Sequence, residues 1–290
     1  MNPRPHNTHA HPGSTRNGRS ARSSRAARNA ARGSARRELS QNFIADPAVI
    51  ARYARAVGDG PGGLVVEAGA GDGRVTAALA EHARSVIAYE VDPVMARRLA
   101  ERCRDLPNVR CVTGDFLDAR PPRGPFHLAG NIPYSVTSRI VGWALDAPGL
   151  VSATLVTQLE YARKRTGDYG RWSRLTVRTW PVFSWGLGVR IPAGRFRPVP
   201  RVDSAVLRLD RRARPLLPPG AMDDYVRCVD LGFTGVGGSV RASLRRAYPA
   251  ARVDAALRAA GVPRDAVVGF VHPDQWVALA PVLHGRRAAP

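Results

Sequence analysis

Leu64-Val65-Val66-Glu67-Ala68-Gly69-Ala70-Gly71-Asp72-Gly73 reads as a short buried strand that runs directly into a glycine loop. An apolar run, then clustered glycines, then a helical pattern is the opening unit of a mostly parallel α/β sheet. Gly69 and Gly71 let the backbone turn sharply and approach a ligand, and Gly73 permits tight packing of the helix that follows. The spacing is G-x-G-x-G, whereas the dinucleotide spacing G-x-G-x-x-G would bring a pyrophosphate to the helix N-terminus. Glu67 stands just ahead of the loop. An acid there is poorly placed for a diphosphate. It suits a cationic ligand, such as the sulfonium or ammonium group of S-adenosylmethionine.

Working outward, the same unit repeats. A helix is expected over 75–83, a strand over 86–89 ending in Glu90-Val91-Asp92, and a helix opened by Pro93. A third strand over 109–112 ends in Gly114-Asp115-Phe116. Glu90 lies about twenty residues past the loop, where a carboxylate can accept both ribose hydroxyls. Asp115 can take an adenine amino group, with Phe116 against the ring. Each acid alone also fits a helix cap or a surface turn. Three acids ending three successive strands line the crevice in which doubly wound sheets bind ligands.

A fourth strand (Phe126, Leu128, Ala129) closes on Gly130-Asn131-Ile132-Pro133-Tyr134. Pro133 fixes its own φ and pushes Ile132 toward an extended conformation. The Asn131 amide can donate and accept, and Tyr134 offers a flat face for a planar base. Such a turn can grip the exocyclic amino group of a nucleobase; a plain connection with a core tyrosine is the competing reading. Further along, Asp46-Pro47 starts a helix to about Val57. Helix 138–145 and strand 153–159 follow, 176–189 is ambiguous, and 204–209 alternates as a late antiparallel strand does. Alternating strands and helices predict a doubly wound, mostly parallel sheet. A Pro-rich break over 215–220 precedes three or four amphipathic helical patterns, at 223–231, 239–247, 253–260 and 273–283. The expected organisation is a tail over 1–37, an α/β domain over 38–212 and a helical RNA-binding domain over 213–290.

Formal net charge is +21 and the sequence pI about 11.4, so the expected partner is a polyanion. Lys164 is the one lysine, and a GC-rich genome accounts for Arg over Lys but not for the excess of positive charge. Residues 1–37 carry no acid and no large aliphatic side chain after Met1. They cannot offset the cost of ordering and are expected to be disordered, either as an electrostatic arm for nucleic acid or as a solvated tail. Arg241, Arg245 and Arg246 share one helical face, as a solvated face or an RNA contact. Three cysteines without C-x-x-C spacing argue against zinc and disulfides and fit the cytoplasm, and no metal is expected. No apolar run approaches the ~20 residues of a membrane span.

Taken together, the motifs resemble a known family. They are Ser40-Gln41-Asn42-Phe43-Ile44, the Glu67–Gly73 loop, Tyr89-Glu90-Val91-Asp92, Gly114-Asp115-Phe116, Asn131-Ile132-Pro133-Tyr134, Tyr169-Gly170-Arg171-Trp172-Ser173 and the stretch from Phe196 to Ser204. In this order they resemble the rRNA adenine N6-methyltransferases, and within them the Erm-type 23S rRNA enzymes of macrolide–lincosamide–streptogramin B resistance. The resemblance covers roughly 39–209. Ser-Gln-Asn-Phe leans away from the 16S rRNA dimethylases, which usually read Gly-Gln-His-Phe there. It implies a Rossmann-like, seven-stranded S-adenosylmethionine-dependent methyltransferase fold with a small C-terminal all-helical domain. It also implies cofactor contacts from Asn42, the Ile44 backbone, Gly69, Glu90 and Asp115, with Asn131 between cofactor and base. Tyr134 and Phe196 would sandwich the flipped adenine, and Arg163, Lys164, Arg165 and Arg171 would meet rRNA phosphates. The partner is 23S rRNA before full ribosome assembly, with no obligate protein partner and a monomeric enzyme.

The chemistry so implied is in-line methyl transfer to adenine N6, which needs alignment and desolvation more than acid–base catalysis. Hydrogen bonds from the amino group to the Asn131 side chain and the Ile132 carbonyl would localise the nitrogen lone pair. Competing expectations are 16S rRNA dimethylation, DNA adenine methylation and a catalytically inactive nucleic-acid-binding relative. A nicotinamide dehydrogenase fits the strand order but not Glu67 or the glycine spacing.

Overall fold

The computed structural model describes residues 42–57, 63–218 and 220–285. The expectations for 1–37, and for the first residues of the Ser40-Gln41-Asn42-Phe43-Ile44 motif, lie outside the described residues. In chain order the strands are β1 (Phe43–Ile44), β2 (Leu64–Ala68), β3 (Ser85–Glu90), β4 (Val109–Thr113), β5 (Phe126–Asn131), β6 (Leu150–Gln158), β7 (Phe183–Ile191), β8 (Phe196–Arg197) and β9 (Ser204–Arg211). Between them run α1 (Pro47–Ala56), α2 (Arg74–Ala80), α3 (Pro93–Arg102), α4 (Thr137–Asp146), α5 (Leu159–Thr166) and α6 (Arg174–Thr179). Then come α7 (Met222–Gly232), α8 (Val240–Leu244), α9 (Ala250–Ala259) and α10 (Pro273–Leu283).

Seven strands form one sheet in the order β4-β3-β2-β5-β6-β9-β7. From β4 through β6 all pairings are parallel, and β9 runs antiparallel to both its neighbours. The carboxyl ends of β2, β3, β4 and β5 therefore meet at one edge of the sheet. Each face is covered, which is why the central strands read as continuous apolar runs. On one face Ile50, Val75, Leu79 and Leu99 of α1, α2 and α3 meet Val65 and Val86. On the other, Ile140, Val141 and Ala162 of α4 and α5 meet Leu128, Leu155 and Leu207.

Local chemistry sets the helix starts. Asp46 and Asp92 each precede a proline at the first helical position and accept two backbone N–H groups, from Ala48 and Val49 and from Val94 and Met95. The ambiguous stretch resolves into α6 and β7; β7 is irregular between Leu187 and Arg190, which breaks the period-two signal. Three elements had no counterpart in the sequence reading, α5 and the two-residue strands β1 and β8. The C-terminal helices bury a core of their own around Tyr225, Leu244, Leu257 and Trp276. That core includes Val177 of α6, whose carbonyl accepts from Tyr225 Oη at 2.7 Å.

Candidate active site

Glu90 closes the glycine loop. Its Oε2 accepts from Gly71 N at 2.7 Å and its Oε1 from Asp92 N at 2.8 Å. Gly71 has φ +59° and no room for a side chain, since a Cβ there would meet the Phe43 ring at 2.5 Å. Gly69 has φ +71° with nothing within 4 Å of where a Cβ would stand, so its backbone is open to a ligand. Asp115, exposed at the end of β4, accepts from Leu117 N at 2.9 Å. A turn cap and a ligand contact are compatible there, because a carboxylate accepts several hydrogen bonds.

Three residues of the expected site are buried and packed within the protein, and Glu90 is likewise 1 % exposed. Glu67 is 1 % exposed and accepts from Thr76 Oγ1 at 2.6 Å. Burial pushes its carboxyl up to about 7, Thr76 opposes that, and the nearby Glu90 adds to it. It fastens α2 to β2 from inside. Phe116 is 5 % exposed, set edge-on to Tyr89 at 5.8 Å and against Trp143 at 4.5 Å, so its ring belongs to the core. Phe196 is 1 % exposed, paired with Ile44 and packed in the core under α1. It is not one wall of an open slot for a base.

The β1–β8 pairing registers Phe43 with Arg197 and Ile44 with Phe196, bringing together motifs far apart in sequence. Ala45 N donates to Arg195 O at 2.8 Å, and Arg195 pairs with Asp46. Asn42 is thereby held beside the β5 turn, where its carbonyl accepts from Asn131 Nδ2 at 2.7 Å. With the amide nitrogen directed to Asn42, Oδ1 is the atom of Asn131 suited to accept a substrate proton. Gly130 is required by crowding, since a Cβ would meet Ala68 O at 2.7 Å. Ile132 is buried, Pro133 sits at φ −57°, and Tyr134 is half-buried. The Tyr134 hydroxyl shares a 2.8 Å hydrogen bond with Ser204 Oγ at the start of β9. Burial raises the Tyr134 phenol above its usual range, so it stays protonated.

The cations fall into two groups. Lys164 and Arg171 are exposed, and the Arg171 guanidinium lies 4.8 Å from the Phe270 ring centroid. Arg163 pairs with Asp168 and lies 4.2 Å from the Tyr169 ring. Arg165 is turned inward instead, donating to Ser173 Oγ at 2.9 Å and lying over Tyr161. Arg241 forms a two-pronged pair with Asp254 at 2.6 and 3.1 Å, which holds that carboxyl well below its usual range. Arg165 and Arg241 are thus engaged by partners within the protein, as Arg163 is by Asp168. Arg245 is exposed just past α8.

The profile of the family described as "Ribosomal RNA adenine dimethylase" matches residues 32–284. The chain belongs to that family. The rRNA adenine N-6-methyltransferase of Streptomyces fradiae is 57 % identical over 258 residues, 88 % of this chain and 81 % of that one. The mycinamicin-resistance protein MyrB of Micromonospora griseorubida is 36 % identical over 262 residues, 88 % of this chain and 82 % of its own length. The crystal structure of the 23S rRNA methyltransferase ErmE aligns with a TM-score of 0.81 at 52 % identity, covering 84 % of this chain and all of that one.

Within this family member, three supporting residues escaped the sequence reading. Tyr53 Oη accepts from Gly130 N at 2.8 Å and donates to Thr154 O at 2.6 Å, bracing the base of the turn. Thr76 holds Glu67, and Ser204 holds Tyr134. Tyr53 lies on the apolar face of α1 and looks like any core residue. Ser204 ended a quoted motif, but nothing in one dimension joins it to Tyr134.

Proposed function

We propose that the chain transfers methyl from S-adenosylmethionine to N6 of an adenine in 23S rRNA, giving macrolide–lincosamide–streptogramin B resistance. The observation that carries this reading is the Asn42–Asn131 hydrogen bond, which fixes the Asn-Ile-Pro-Tyr turn against the cofactor motif. Similarity to ErmE and MyrB supports the choice of rRNA and of resistance.

The crevice fits the cofactor: the Gly69 backbone is open, Glu90 ends β3 and Asp115 is exposed at the end of β4. Bound there, S-adenosylmethionine supplies an electrophilic methyl group on a sulfonium. Glu90, buried and already holding Gly71 and Asp92, would accept from the ribose hydroxyls, and Asp115 would accept from the adenine amino group. Asn42, Ile44, Gly69 and Gly71 contribute backbone. The Asn131 Oδ1 and the Ile132 carbonyl accept the N6 hydrogens of the target base, turning its lone pair toward the methyl group. The ring of that base stacks on Tyr134, whose angle Ser204 fixes. Water takes the proton from the methylated nitrogen, so no histidine is required. A base leaves its stack at least cost in looped or single-stranded RNA.

Lys164, Arg163, Arg171 and Arg245 meet rRNA phosphates, with 38–212 as the methyltransferase domain and 213–290 as a helical RNA-binding domain. The enzyme acts as a monomer on 23S rRNA before full assembly, in the cytoplasm, where Cys103, Cys111 and Cys228 stay reduced. The test is tritium transfer from S-adenosylmethionine to protein-free 23S rRNA by the Asn131→Ala variant. Loss of alignment lowers the rate by about 100-fold or more; a near wild-type rate overturns the assignment. Mass spectrometry of the product places the methyl group in 23S rRNA, and a methyl group in 16S rRNA would move the enzyme to ribosome assembly.

A further inference from the structure

The loop joining α5 to α6 has a feature that methyl transfer at Asn131 does not use. A cavity of about 510 Å³ lies between Lys164, Tyr169, Arg171, Trp172, Ser173 and Gly269. That volume is in the range of small-ligand sites. It follows α5, which leaves the end of β6, the strand whose Val156 registers with Asn131. The cavity is preformed. A Cβ on Gly167 would meet the Trp172 ring at 2.6 Å, and Trp172 N donates to Gly269 O at 2.7 Å, closing the loop onto the helical segment.

Two large rings stand open to water here. Tyr169, in the cavity wall, is 50 % exposed, and Phe270, next to the wall residue Gly269, is 53 % exposed. Each has a guanidinium against it, from Arg163 and Arg171 respectively. Exposed rings interleaved with cations are the means by which proteins hold single-stranded nucleic acid, by stacking bases and neutralising phosphates. The charge, +21 for the whole chain, favours an anionic occupant.

We propose that this cavity takes a second, non-reacting base of the substrate RNA, unstacked from its neighbours and held against Tyr169 and Phe270. Lys164 and Arg171 meet the adjoining phosphates. The inference rests on the reading that the substrate is rRNA, and it adds a second point of contact that helps select which adenine reaches Asn131.

The test uses the full chain and a ten-nucleotide single-stranded RNA carrying one 2-aminopurine, whose fluorescence falls when it stacks on an aromatic ring. Tyr134→Ala serves as the background, so that quenching reports a site other than the reaction site. Quenching is expected to persist in that background. Adding Tyr169→Ala or Phe270→Ala is expected to abolish it and weaken binding about tenfold, while Tyr169→Phe retains both. Both rings are half exposed, and matching thermal melts confirm that the variants fold. Lys164→Gln is expected to lower the salt dependence without removing the quenching. Quenching that disappears with Tyr134→Ala alone, or that survives loss of both rings, overturns the proposal. Methyl transfer is scored separately: wild type that quenches the probe but methylates no rRNA refutes the enzymatic reading and leaves the base site standing.

Discussion

In the crevice at the strand ends, side chains are held by the backbone and by each other. Glu90 takes the N–H groups of Gly71 and Asp92, Asn131 gives its amide to Asn42, and Glu67 is sealed in with Thr76. Around α5 and its following loop, Lys164 and Arg171 stand in water, and the aromatic rings beside them are half exposed. The first region spends its polar groups on geometry, and methyl transfer requires alignment of atoms to within an ångström or so. The second keeps its charge available, which serves a polyanion bound through many interchangeable phosphate contacts. Crevice substitutions are therefore expected to act on folding and rate, and outer ones on affinity and its salt dependence.

The largest test of that division is Glu90→Ala. The buried N–H of Gly71 and the part-buried N–H of Asp92 lose their acceptor, the buried one costing about 1–3 kcal/mol, so chemical denaturation is expected to show a loss of about 2 kcal/mol or more. A variant as stable as wild type would mean that the glycine loop holds its own shape.

Next is the pH dependence set by Glu67. Its folded value near 7 lies above the ordinary carboxylate value of 4.5. The folded state therefore holds the proton more tightly, and its contribution is full below about pH 4.5 and lost as pH rises through 7. At 1.36 kcal/mol per pKa unit the loss approaches about 3 kcal/mol. Glu67→Gln is expected to flatten this fall and to exceed wild type in melting temperature at pH 8. An unchanged slope would show that another group titrates.

The smallest effect on stability belongs to Arg171→Ala. Stability is expected to stay within about 0.5 kcal/mol of wild type, while the slope of RNA affinity against salt falls by about one phosphate contact. A large loss of stability would break the division, making Arg171 a structural residue like Arg241.

Much of the fold was readable in one dimension. The Leu64–Gly73 stretch, the Asp92-Pro93 cap and the run before Asn131 place strands and helices through local rules of period, capping and turn chemistry. The crevice followed, because acids at successive strand ends must meet at one sheet edge when the strands are parallel. The inward or outward direction of a side chain was less readable. Phe116 and Phe196 were expected to stand beside a base, and Glu67 beside a cation. All three instead face cores assembled from residues such as Trp143, Ile44 and Thr76. Arg241 looked like an open cation until Asp254 came beside it.

The sequence by itself determined the order of elements, the acids and glycines at the strand ends, and the chemistry available at Asn131–Tyr134, since each depends on near neighbours. Tertiary structure alone decided that Asn42 fixes the Asn131 amide, that Ser204 fixes Tyr134, and that Tyr53 braces Gly130. These bonds join residues separated by 89, 70 and 77 positions. Their geometry is set by sheet register and by the β1–β8 pairing, and local spacing carries no record of either.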